Sequence, residues 1–299
     1  MNPRRSPYSV VISLALFAAA LFLFMPTSGA AQQEGPGWKV RSPFRPLDLA
    51  TPNTIRTGAG LPGPDYWQQK VDYRIEAALD PADHTLTGSQ TIRYHNNSPH
   101  ALSALWLKLD TNLCHPESKS QVLAVPPLLF GDSVFDFTCD GSGMTLGRVA
   151  AGGRELEYEV MGTIARIDLP HPLPSGARTE VEIEWSMTQP EYGYGRTGRD
   201  GTLYQVAQWY PRVAVYDDVS GWNLTPFLGA GEFYQEFGDF QVAVTVPDNF
   251  VVTATGTIVN PDAVLTVEQQ SRLARADGSE EAVAIITESE ARSNRGRRA

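Results

Sequence analysis

The sequence is short of the residues on which most enzyme chemistry depends. Its 299 residues include 5 histidines and 2 cysteines. His84, His95, His100, His115 and His171 are followed by Thr85, Asn96, Ala101, Pro116 and Pro172. None therefore opens an H-E-x-x-H motif, which pairs two zinc ligands with a general base. His95, His100 and His115 match no other metal-ligand spacing and read as solvated loop histidines. A G-x-S-x-G nucleophile turn is missing too, since Asp140-Gly141-Ser142-Gly143 has neither the spacing nor the strand-to-helix setting. Gly193-Tyr194-Gly195 and Gly229-Ala230-Gly231 lack the third glycine and the following helix of a phosphate loop. Positive charge is also scarce. Lys and Arg total 24 against 34 acids, for a formal charge of -10, which excludes nucleic acid as an expected partner.

Long apolar runs are equally rare. Val10 to Met25 is the one stretch of membrane-like character, and it follows Arg4 and Arg5. Pro26 breaks it, and Ser28-Gly29-Ala30-Ala31 supply small residues for cleavage. The run is short for a span, which takes roughly 20 residues, so residues 1–31 read as a signal peptide, with an uncleaved anchor as the alternative. The chain is then expected in the periplasm or outside the cell, with no stable membrane span after cleavage. Removing those residues takes away two arginines and no acid, moving the charge from -10 to -12. In an oxidising compartment Cys114 and Cys139 are expected to form one disulfide, two free thiols being the alternative.

What the sequence has in abundance is strand pattern. Residues 32–64 carry proline and glycine without periodicity and read as a linker that lies along the domain or stays mobile. From Tyr66 the period becomes two. Val71, Tyr73, Ile75, Ala77 and Leu79 alternate with Asp72, Arg74, Glu76 and Ala78, and Asp80-Pro81-Ala82-Asp83-His84 turns the chain into Leu86 to Tyr94. Leu105-Leu109, Leu156-Val160, Val181-Trp185 and Phe240-Val246 repeat the signal, and Val251 to Val259 and Ala282 to Thr287 are further expected strands. Many short strands with turn residues between them predict an all-β, antiparallel sandwich or open barrel. One short helix is expected from Thr266, where Thr266-Val267-Glu268-Gln269 has a capping-box pattern, to about Ala276. The domain spans 65–288, and 289–299 reads as a disordered basic tail.

The densest segment is Leu203 to Asp239. One reading makes it a binding surface for peptide or glycan. Trp209, Tyr210, Trp222 and Phe227 would be its anchors, with Asp217, Asp218, Glu232 and Glu236 as polar contacts. The other makes it a long connection packed on its own aromatics. A Glu232–Glu236 acid/base pair has nothing in the sequence to set its separation.

The same segment carries a resemblance. Gln205-x-x-Gln208-Trp209-Tyr210-Pro211-Arg212, Val215-Tyr216-Asp217-Asp218, Gly221-Trp222, Gly231-Glu232-Phe233-Tyr234 and Phe237-Gly238-Asp239-Phe240 occur in order. Asp65-Tyr66-Trp67-Gln68-Gln69, Leu86-Thr87-Gly88 and Asn96-Asn97-Ser98-Pro99 precede them, and Val252 through Gly256 to Asn260-Pro261 follow. Together they resemble the N-terminal domain of exported bacterial zinc metallopeptidases related to aminopeptidase N. The resemblance implies a saddle-like β-sandwich that rests on a thermolysin-like catalytic domain bearing the zinc site. It also implies a glutamine or glutamate that holds a peptide's free N-terminus twelve residues before a characteristic Asp. Gln205 stands twelve before Asp217, and Gln208 is a second candidate because Tyr210 occupies the place of the family's usual Arg. The chain is accordingly expected to hold no catalytic residue, metal ligand or cofactor, zinc being expected only on the missing catalytic domain. A truncated or split gene product is the expectation, perhaps complemented by a separately encoded catalytic half. A stand-alone extracellular binding module is the alternative.

Overall fold

The computed structural model describes residues 52–119, 143–191, 197–229 and 233–293. The apolar stretch Val10–Met25 and Cys139 lie outside them. Two sheets enclose one hydrophobic core. The larger has six strands, in the order β14-β1-β2-β8-β4-β5: β1 Lys70–Asp80, β2 Thr85–His95, β4 Met144–Ala151, β5 Arg154–Glu155, β8 Arg178–Thr188 and β14 Phe240–Thr245. The smaller, in the order β11-β3-β7-β6, comprises β3 Leu102–Lys108, β6 Tyr158–Met161, β7 Ile164–Leu173 and β11 Arg212–Val213. Two short ribbons complete the strands: β9 Gly198–Asp200 with β10 Leu203–Gln205, and β12 Tyr216–Asp217 with β13 Gly221–Trp222.

The alternation in β1 does what a period of two requires. Val71, Tyr73, Ile75 and Ala77 point into the core while Arg74 and Glu76 face water. Opposite them Ile92 and Tyr94 on β2, and Val181, Ile183 and Trp185 on β8, continue the same face. The second sheet meets it with Leu105, Leu107, Ala165, Ile167 and Val213. The turn between β1 and β2 is built by its carboxylates, as expected. Asp80 accepts from Ala82 N–H at 2.8 Å, Asp83 from Thr85 N–H at 3.0 Å, and His84 takes a left-handed φ of 59°. Asn96 anchors the next turn from inside, donating to the carbonyls of His100, Leu173 and Pro174 and accepting from Gln69.

Three features depart from the sequence reading. The larger sheet is mixed, because β14 runs parallel to β1. Gly238 permits this entry: a Cβ there would lie 1.8 Å from the Val71 carbonyl oxygen. The expected strands Val251–Val259 and Ala282–Thr287 do not form. Residues 251–259 are exposed throughout, and β-propensity expresses itself only where a neighbouring strand completes the ladder. Finally, there are three short helices among the described residues rather than one: α1 Pro261–Val264, α2 Val267–Ala276 and α3 Glu288–Ser293. The capping box of α2 is present in both directions between Thr266 and Gln269. α3 starts on a second T-x-x-E box, in which Thr287 Oγ1 accepts from Glu290 N–H and the Glu290 carboxylate accepts from Thr287 N–H at 2.7 Å. Glu290 also pairs with Arg272 of α2 at 2.6 Å, so residues 289–293, expected in a tail, are helical. Residues 294–299 lie outside the described set.

The start of the described chain is tied down as well. Arg56, in the stretch read as a linker, pairs with Asp218 through two hydrogen bonds of 2.5 and 2.8 Å.

Candidate functional site

Residues 197–229 and 233–239 pack over the core as a strap rather than as a strand pair. It begins at the β9–β10 ribbon, where Gln205 pairs with Gly198 and its side chain is exposed. Thr197 Oγ1 then holds Ala207 by both backbone groups, accepting from its N–H and donating to its carbonyl. Gln208 follows with a φ of 49°. A non-glycine residue in this region carries a backbone cost of order 1–3 kcal/mol, so the surroundings must impose it. They do: Trp209 sits edge-on to Trp185 at 5.7 Å, and the Pro211 carbonyl accepts from the buried Gln90 amide at 2.6 Å. Neither the Gln205 nor the Gln208 carboxamide hydrogen-bonds to protein among the described residues.

The strap is pinned at Arg212. Its guanidinium donates to Asp110 at 2.9 Å through Nε, lies over the Phe233 ring at 4.9 Å, and is 5% exposed. Its Nη1 is buried and, among the described residues, has no hydrogen-bond partner. Lys108 lies close by, donating to the Thr225 carbonyl at 2.6 Å, and burial pulls its ammonium down to about 8. Burial also pushes the Asp110 carboxyl above its ordinary range, and the Arg212 guanidinium offsets part of that rise. The Val213 N–H donates to the Tyr73 hydroxyl at 2.9 Å, tying the strap to β1.

The aromatic side chains named as binding anchors turn inward. Tyr210 packs on Tyr73 and Phe240, Trp222 on Tyr94 and Tyr216, and Phe227 on Phe233 beside Leu113 and Cys114. Trp67 stacks on Tyr216 at 5.7 Å. The named acids serve the strap in the same way. Asp217 accepts from Val219 and Ser220 N–H, Asp218 holds Arg56, and Glu236 accepts from Tyr216 N–H at 3.3 Å. Burial, with a smaller contribution from Asp217, raises Glu236 to about 7. Glu232 lies outside the described residues, so the Glu232–Glu236 pair has no geometry to report.

The three histidines considered for metal do not converge. His95 faces Asp72, His100 bonds the Tyr216 hydroxyl at 3.0 Å, and the His115 ring accepts from Glu117 N–H. Among the described residues no group of three or more His, Cys, Asp or Glu is placed to hold a metal ion. These side chains do not fit a zinc site. Cys114 is disulfide-bonded. Sequence reasoning passed over the Asp110–Arg212–Lys108 group, although Lys108-Leu109-Asp110 at the end of an apolar strand was its visible trace.

No family model and none of the curated proteins matches this chain. Among solved structures it is similar to an M1 zinc metallopeptidase from Deinococcus radiodurans, with 16% identity and a TM-score of 0.36 over 66% of this chain and 36% of that one. A mutant of that metallopeptidase bound to a Tyr-Ser-Ala substrate matches with 14% identity and a TM-score of 0.36, over 64% and 35% of the two chains. Native leukotriene A4 hydrolase from Saccharomyces cerevisiae gives 8% identity and a TM-score of 0.25 over 40% and 15%. The chain spans about a third of the length of the Deinococcus structures it matches.

Proposed function

We propose that this chain is the non-catalytic, substrate-flanking domain of an exported zinc-aminopeptidase-like metallopeptidase. It presents Gln205 and Gln208 to the free N-terminus of a peptide. Zinc and the chemistry belong to a catalytic domain outside these 299 residues. The observation that carries the reading is Gln208. This second candidate has a left-handed backbone held by the strap around it, and among the described residues neither its carboxamide nor that of Gln205 has a protein hydrogen-bond partner. A carboxamide oxygen of that kind can accept from an ammonium group without first breaking a bond. The inward-turned aromatics give a glycan-binding module little surface to stack on, so the peptide reading is preferred.

Two measurements test this. Incubated with aminopeptidase substrates and added zinc, the purified chain is expected to show no turnover above background. Chelator-sensitive turnover would sink the proposal. Calorimetric titration with a short unblocked peptide is expected to show weak binding that is lost on N-acetylation of the peptide and in the Gln205→Ala, Gln208→Ala double variant. Binding that ignores both changes would remove the two glutamines from the site.

A further inference from the structure

Among the described residues β14 is an edge strand that none of the usual protective devices covers. It pairs with β1 on one side only among the described residues. Its register sets Phe240, Val242 and Val244 beside Tyr73, Ile75 and Ala77, on the core-side face. The β1 residues are 6%, 1% and 6% exposed, whereas those of β14 are 49%, 44% and 44% exposed. The apolar face therefore continues one strand beyond its cover.

The backbone adds direction to this. Tyr73 N–H donates to the Asp239 carbonyl and Val71 N–H to that of Phe237. Odd-numbered residues of the strand thus face β1, and the N–H and C=O groups of Phe240, Val242 and Val244 face outward. The strand Phe240-Gln241-Val242-Ala243-Val244-Thr245 contains no charge, no proline and no glycine, in a chain of net charge -10. Natural edges avoid pairing by such charges, prolines or bulges.

We infer that β14 is a self-association edge, occupied by β14 of a second copy of this chain in an antiparallel, two-fold arrangement. Only a partner strand with the same face pattern can satisfy the outward groups and the apolar row together, and the strand is its own match. A two-fold axis at Val242 sets Val242 against Val242 of the second copy and Phe240 against its Val244, with Gln241 and Ala243 meeting on the solvent side. Opposed residues in antiparallel strands share a face, so this register is self-consistent. An acidic chain meets its copy most easily along a strip that carries no charge. The contact is small, below the roughly 1,200 Å² of stable interfaces, so a weak, concentration-dependent dimer is expected.

The inference does not rest on the peptide-binding proposal. Its test is sedimentation velocity of the full chain from low micromolar to submillimolar concentration. Wild type is expected to move from monomer to dimer. Val242→Pro removes an outward N–H without touching the ladder to β1, and is expected to abolish the dimer. Ala243→Lys, which places like charges across the axis from a solvent-facing position, is expected to do the same with an unchanged circular-dichroism melt. Hydrogen exchange across residues 240–245 should slow with concentration in wild type alone. A monomer throughout the range, or self-association that survives both substitutions, overturns the inference. Because any apolar N-terminal segment is common to all three proteins, only the difference between them is read.

Discussion

Replacing Glu236 with glutamine should stabilise this protein, and only at neutral and higher pH. The Glu236 carboxyl accepts the Tyr216 N–H and is raised from its usual 4.5 to about 7, chiefly by burial. The folded state therefore holds its proton more tightly than the unfolded chain does. That preference contributes stability at low pH, and the contribution is lost as pH rises from about 4.5 to 7. One pKa unit corresponds to about 1.4 kcal/mol, which sets a ceiling near ~3 kcal/mol for this displacement. The side chain is only part-buried, and solvent screening reduces the expected effect to about 1 kcal/mol. Glutamine keeps the oxygen that accepts from Tyr216 and cannot ionise. Urea unfolding of wild type and Glu236→Gln should coincide below pH 4.5. The variant should then gain about 1 kcal/mol by pH 8, since its site no longer carries a half-buried charge beside Asp217. A difference independent of pH, or wild type gaining on the variant as pH rises, would refute the reasoning.

Other perturbations follow from the same packing. In Gly88→Ala the new methyl would lie 2.2 Å from the Trp185 ring, which is buried against Trp209, so overpacking should cost about 1–3 kcal/mol in a denaturation midpoint. Asp110→Asn leaves Arg212 and Lys108 buried without a counter-charge. It should cost about 3–5 kcal/mol by urea titration, and Asp110→Leu with Arg212→Met and Lys108→Met should recover most of it. Reduction of the disulfide at Cys114, whose expected partner is Cys139, should lower stability by about 3 kcal/mol and release two thiols to a thiol reagent.

Strand period, turn chemistry and caps were local properties, and the sequence alone determined them. The alternation in β1, β2 and β8, the carboxylate-built turn at Asp80–His84 and the capping box at Thr266–Gln269 each depend on neighbours within a few residues. The T-x-x-E box at Thr287–Glu290 is equally local, but it lies where the β-branched run Ala282–Thr287 predicts a strand and the basic end predicts a tail. Partnership could not be read in the same way. Val251–Val259 has the composition of a strand but is not one, because a strand also needs a neighbour's hydrogen bonds and nothing local to the segment states whether one is there. The parallel entry of β14 depends on Gly238 meeting the Val71 backbone, from residues far apart in sequence.

The candidate site divides along the same line. The twelve-residue spacing to Asp217 nominated Gln205, with Gln208 as a second candidate, whereas the left-handed turn at Gln208 and the inward rotation of Trp209, Tyr210 and Trp222 were decided by the fold. So was the pin of Arg212 against Asp110, a contact between β11 and the 3-10 turn Asp110–Cys114 that follows β3. Composition marks a segment as aromatic and acidic. Which side of it meets the core and which meets a ligand is a three-dimensional choice, made by the sheet lying beneath.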